Sequence, residues 1–147
     1  MSTPKPPSRV VVSWTGGHRF DAGRPGGPRI HVDSAGQAGP SPVETLLSAL
    51  ASCTAVDVVE ILQKRRTPLD SLEIEVTGDR ANAVPARVTR IALAFHMRGE
   101  GIERAHAERA VELALTKYCS VRDSLDPAMP IEWIVVIDGE RGETRAA

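Results

Sequence analysis

Apolar and polar positions along this chain change their period several times, and each change marks an element. Val10-Val11-Val12-Ser13-Trp14 is a short β-type run closed by the turn pair Gly16-Gly17. A hairpin region follows. From Gly23 to Gly39 the chain is rich in Gly and Pro, broken by a possible strand at Arg29-Ile30-His31-Val32. The period then becomes helical. Ser41-Pro42-Val43-Glu44 supplies an N-cap hydroxyl, a proline at the first helical position and a glutamate that completes a capping box, so a helix starts at Pro42. At 100° per residue Val43, Leu46, Leu47, Leu50, Val58 and Ile61 share one face, while Ala49, Val56 and Val59 fill much of the rest. Asp57 is the one charge between Leu46 and Val59, which predicts a central, nearly buried helix. Lys64-Arg65-Arg66 suits its C-terminal dipole, and Pro68 blocks continuation.

Period two returns afterwards. Leu72, Ile74 and Val76 alternate with Glu73, Glu75 and Thr77, and Ile91, Leu93, Phe95 and Met97 alternate with Ala92, Ala94 and His96. A second helix is expected from about Ile102 to Tyr118, with Ile102, Ala110, Leu113 and Ala114 inside and Glu103, Glu108 and Glu112 outside. It leaves Cys119 at its end. Ile131 to Ile137 reads as a last strand. Strands, helix, strands, helix, strand predict an α+β fold, helices packed on an antiparallel sheet. The divisions are a disordered lead at 1–8, a single domain at 9–140 and a charged tail at 141–147.

Composition narrows the function. At 147 residues and 41% hydrophobic content the chain can bury one core without disulfides or metals, which frees its two cysteines for chemistry. A formal charge of −1 gives no general attraction to nucleic acid or anionic lipid. The start of the chain is polar and Pro-rich, and no run of about eighteen apolar residues stands out, so the expectation is a cytoplasmic protein with no membrane partner. In a reducing cytosol Cys53 and Cys119 are more naturally free thiols than a structural bridge. Neither the cysteines nor the four histidines make a close C-x-x-C or H-x-x-x-H pair, so no metal is expected. Gly16-Gly17 and Gly26-Gly27 lack the strand-loop-helix setting of a phosphate loop, and no cofactor is expected.

Thiol chemistry requires a reachable thiolate, a neighbour that stabilises the anion and a route for recycling the sulfenic acid formed by peroxide. A second thiol supplies that route. Cys53 lies in Leu50-Ala51-Ser52-Cys53-Thr54-Ala55, where small residues leave room around sulfur, although a lone buried cysteine is more often simple packing.

Gly39-Pro40-Ser41-Pro42-Val43-Glu44, the small-residue run into Ser52-Cys53, and Lys117-Tyr118-Cys119-Ser120-Val121 together resemble the OsmC/Ohr family, named for osmotically inducible protein C and organic hydroperoxide resistance protein. The resemblance extends over most of the chain and lies nearer the OsmC-like branch. It implies an intertwined homodimer whose sites lie near the subunit interface. A peroxidatic Cys53 would be resolved by Cys119, with organic hydroperoxides as substrates and a dithiol or lipoyl-type group as reductant. It also implies an arginine from the N-terminal hairpin beside the thiolate. Arg19 fits best by position, with Arg24 and Arg29 as alternatives. Glu44 is a candidate for the family's active-site glutamate, although it lies nine positions before Cys53 where ten is usual and can serve simply as the cap. Asp57, one turn after Cys53, is read more readily as a structural hydrogen-bonding group than as a catalytic one. The alternative function is a non-enzymatic member that binds a small apolar ligand or senses oxidants through the same thiols.

Overall fold

The computed structural model describes residues 3–147, and Met1 and Ser2 of the predicted lead lie outside the described residues. Residues 3–8 are exposed and carry no regular structure. Packing divides the chain into two compact units, Met1–Leu46 and Leu47–Ala147.

The first unit is an antiparallel meander of β1 (Val11–Gly16), β2 (Arg19–Gly23) and β3 (Arg29–Asp33). Gly16 and Gly17 sit at φ 118° and 55°, values that side-chain-bearing residues rarely adopt, and they let β1 reverse directly into β2. Arg19–Gly23 was not distinguished as a strand by its pattern, because its mixed residues Phe20, Asp21 and Ala22 carry no clear alternation; its pairing comes from both neighbours. The helix α1 (Pro42–Lys64) begins at the end of this unit, with the capping box formed in both directions. The Glu44 amide donates to Ser41 Oγ at 3.2 Å, and the Ser41 amide donates to Glu44 Oε1 at 2.9 Å.

The second unit holds the remainder of α1, then β4 (Ser71–Arg80), β5 (Val88–Arg98), α2 (Arg104–Leu113), a π-helical turn (Ala114–Tyr118), the short α3 (Ser120–Asp123), β6 (Ile131–Ile137), β7 (Glu140–Arg141) and β8 (Arg145–Ala146). The sheet runs β4-β5-β6-β7, with β8 also on β6. The α+β class holds, and β4/β5 and β6 with its short partners are antiparallel. The expectation of an antiparallel sheet throughout is corrected at β5/β6, which pair in parallel. The physical reason is the long crossover between them, which carries α2 and returns the chain to the starting end of β5. The charged tail also differs from expectation: β7 and β8 cover the free edge of β6, and the Ala147 amide donates to Ile131 O at 2.9 Å.

Ile91, Leu93, Phe95 and Met97 of β5 and Ile131, Trp133 and Val135 of β6 form the inner face, against Ala107, Ala110, Val111, Ala114 and Leu115. Leu50, Ala51, Thr54, Val58 and Leu62 of α1 are buried. This corrects the nearly buried α1. Its buried residues form a stripe spaced at helical repeats, because a helix lying on one layer can hide only the side that faces it. Leu46, Val56 and Val59 stay exposed, Val56 by 57%. By length and composition α1 would suffice to cross a membrane, a threshold the sequence was not expected to reach, although its buried stripe carries Thr54.

Glu108 is a second correction, since it is buried rather than outside. Arg145 Nη2 lies 2.7 Å and Arg104 Nη1 3.7 Å from its carboxylate, so the charge is compensated from both its own helix and the tail. Arg145 also lies 5.8 Å from the centroid of the Trp133 ring.

Candidate active site

Two thiols meet in the second unit. Cys53 projects from the middle of α1 and is half-buried, while Cys119 is only 4% exposed. The Cys119 sulfur lies close enough to Cys53 for the two thiols to hydrogen-bond. No disulfide joins them.

Local folding explains how Cys119 gets there. After α2 the chain widens into the π-helical turn, and the Cys119 amide donates to Ala114 O, five residues back, at 2.8 Å. Cys119 then takes an extended conformation, φ −73° and ψ 105°, and caps α3. Its sulfur accepts from the Arg122 amide at 3.3 Å, the thiol counterpart of a serine or aspartate cap. The Thr54 hydroxyl, fully buried beside Cys53 in sequence, lies 3.7 Å from the same sulfur. Burial pushes the Cys119 thiol above its usual value; the Arg122 amide and the Thr54 hydroxyl oppose that shift, and the neighbouring Cys53 adds to it. An open depression of about 200 Å³ borders Cys119, its walls including Leu115, Tyr118, Ser120 and Arg122.

The other candidates have local partners. Arg19 on β2 is half-exposed, with its Nε 3.5 Å from Oδ2 of Asp33 in the same unit. Asp33 is buried and gathers the loop that follows it: the amides of Ala35, Gln37 and Ala38 donate to its carboxylate at 2.9, 3.3 and 3.0 Å. Those of Ala38 and Ala35 do most to hold its carboxyl below the ordinary range, Gln37 and the Arg19 charge add to them, and desolvation opposes them. Arg29 reaches Ser13 Oγ at 2.9 Å, and Arg24 sits in the β2–β3 loop. The Glu44 carboxyl is also held below its usual range, first by the Ser41 amide and then by the Ser41 hydroxyl, as expected of a capping carboxylate. Asp57 is half-buried on α1. Among the described residues no group of three or more His, Cys, Asp and Glu side chains is arranged to hold a metal ion.

Thr54 and Asp33 were missed from the sequence. The Thr54 signal was available: it lies four residues after Leu50 and four before Val58, on the stripe that became buried. For Asp33 the signal was the short polar and Gly-rich segment after it, a common setting for a carboxylate that collects backbone amides.

A pair of free thiols between a long helix and the end of a second, over a mixed sheet, defines the OsmC-like class. Residues 34–134 match the family described as OsmC-like protein, and the chain belongs to that OsmC/Ohr family. It is 38% identical over 121 residues to protein YhfA of Escherichia coli K12, covering 82% of this chain and 90% of that protein. The solved structure of an OsmC-like protein from Mycoplasma pneumoniae superposes with a TM-score of 0.77 at 16% identity, covering 91% of this chain and 99% of the other. That of the organic hydroperoxide resistance protein OhrB of Bacillus subtilis gives a TM-score of 0.57 at 14% identity, covering 88% and 96%. At these identities the two structures speak for the fold.

Proposed function

We propose that this member of the OsmC/Ohr family is a thiol peroxidase for organic hydroperoxides, with Cys53 as the attacking thiol and Cys119 as the resolving one. The observation that carries the reading is the closeness of the two sulfurs, one half-buried and one buried, across elements far apart in sequence. The Cys53 thiolate attacks the outer peroxide oxygen, the O–O bond breaks and, with a proton, the alcohol leaves; sulfur is oxidised to sulfenic acid. The Cys119 thiolate then attacks that sulfur, the S–O bond breaks, and the departing hydroxide takes a proton to become water. A dithiol or lipoyl-type reductant restores both thiols by two exchanges. The greater exposure of Cys53 supports this order, because a peroxide reaches it more readily than Cys119.

Arg19 is the proposed cation for the Cys53 thiolate, and its hydrogen-bonded Asp33 partner would fix its orientation. Glu44 is assigned to capping, which its two bonds with Ser41 support. A homodimer is proposed as the working form. The apolar side chains left outside on α1, and Val12, Trp14 and Ile30 on the N-terminal sheet, supply surface that a second copy would bury. The reducing cytosol is the proposed compartment.

The test is stoichiometric treatment with tert-butyl hydroperoxide, followed by mass spectrometry. An intramolecular Cys53–Cys119 disulfide in the wild type, a trapped sulfenic acid at Cys53 in Cys119→Ser, and no reaction in Cys53→Ser are expected. Both thiols remaining reduced, while a known thiol peroxidase reacts fully alongside, would sink the enzyme reading and leave ligand binding by the same fold in front.

A further inference from the structure

The cycle needs more than two sulfurs. When a reductant opens the disulfide, one cysteine is attacked and the other departs with the electron pair, and the leaving sulfur is favoured by whatever stabilises it as an anion. Cys119 is shielded from an incoming thiol and Cys53 is half-open, so attack falls on Cys53 and Cys119 must leave. Burial makes that departure costly unless donors meet the thiolate.

We propose that Thr54 is a catalytic residue of this disulfide step, its buried hydroxyl donating to Cys119 Sγ and holding that sulfur as the leaving thiolate. The proposal rests on the peroxidase reading above and assigns a group to its reductive half. Thr54 Oγ1 lies 2.9 Å from Leu50 O and 3.7 Å from Cys119 Sγ, and a hydroxyl has one proton to give. With a neutral thiol the nearer carbonyl takes it. When Cys119 becomes a thiolate, the charged acceptor competes more strongly, and rotation about the Cβ–Oγ1 bond redirects the proton without moving a heavy atom. Leu50 O keeps the amide of Thr54 as its helical donor. The Arg122 amide, at 3.3 Å, is a second donor whose direction the backbone fixes. The external thiolate thus forms a bond to Cys53 sulfur, the S–S bond breaks, its electron pair passes to Cys119, and Thr54 with the Arg122 amide receives the charge. The second thiol of the reductant then displaces Cys53 as thiolate and closes its own disulfide.

The experiment titrates Cys119 by ultraviolet thiolate absorbance in a Cys53→Ala background, with Thr54, Thr54→Ser and Thr54→Val, and measures dithiothreitol reduction of the disulfide in proteins keeping both cysteines. Thr54→Val preserves shape and removes the donor, so the titration midpoint is expected to rise by about one pH unit, the size of one hydrogen bond to a charged group. Reduction should slow several-fold, and Thr54→Ser should restore both. Thr54→Ala serves as the second hydroxyl-free variant if the valine disturbs folding, with thermal melting followed for each. An unmoved midpoint in the hydroxyl-free variants, a serine that behaves like valine, or a moved midpoint with an unchanged reduction rate overturns the assignment. The titration and the reduction use no hydroperoxide. If both respond as expected but the protein consumes none, Thr54's disulfide role stands and the peroxidase reading is what fails.

Discussion

Closure of the disulfide should depend steeply on pH, and the structure sets the slope. An ordinary cysteine near pKa 8.5 is about 3% thiolate at pH 7. Cys119 lies above the ordinary value, chiefly through burial, so its thiolate share at neutrality is smaller still. Oxidation of Cys53 to sulfenic acid alters the contribution of that neighbour and leaves burial, the largest cause, in place. If the Cys119 thiolate is the attacking species, the rate of closure should rise about tenfold per pH unit between about pH 6 and pH 8. The perturbation is a single organic hydroperoxide turnover, rapidly mixed, quenched by acid at timed intervals, alkylated and analysed by mass spectrometry for sulfenic acid and disulfide. Cys119→Ser supplies the baseline, with the Cys53 sulfenic acid persisting at every pH. A closure rate flat across that range would refute the argument, since it would require a Cys119 already ionised at neutrality or a different resolving nucleophile.

Ser41→Ala should cost about 1 kcal/mol of stability by chemical denaturation, through loss of the hydroxyl that accepts the Glu44 amide. Glu44 is held below its ordinary range, so its contribution is present above the unfolded value of about 4.3 and is lost as pH falls through the lower folded value. The difference in melting temperature between wild type and Glu44→Gln should therefore shrink on acidification, and a difference that grows would contradict the cap. Glu108→Ala should destabilise by about 2 kcal/mol, less than a fully buried pair because Arg145 is half-exposed, and Arg145→Ala in the same background should add little. Sedimentation at micromolar concentration should show a dimer that Val56→Glu weakens, and a wild-type monomer would count against the homodimer.

The elements that could be seen in the sequence were those whose pattern is set within one segment. Ser41 to Glu44 encodes its own cap, and the alternation from Ile91 to Met97 encodes one face of β5 whatever lies opposite. Pairing across the chain was harder to see. Parallel β5/β6 follows from the route of the crossover, and the tail joins the sheet because β6 has a free edge. Glu108 has the surface spacing of a solvated glutamate, and its burial is decided by Arg145 from the tail. At the site, both cysteines were visible as residue types in recognisable motifs. Thr54 was hidden because a threonine within a helix commonly returns its hydroxyl to the carbonyl four residues back, as this one does to Leu50, and only the fold adds the second acceptor.

The π-helical turn at Ala114–Tyr118 makes the position of Cys119 a matter of phase rather than distance along the chain. An uninterrupted α-helix advances about 100° per residue, and a π-turn accommodates one residue more than that count allows. Deleting one residue from 114–118 would let the helix return to regular bonding and swing everything after it by about 100°. Both thiols would survive such a change, but the second would leave α2 on a different bearing. Two related chains with the same pair of motifs can therefore differ in whether their sulfurs meet, according to the parity of a turn that touches neither cysteine's chemistry.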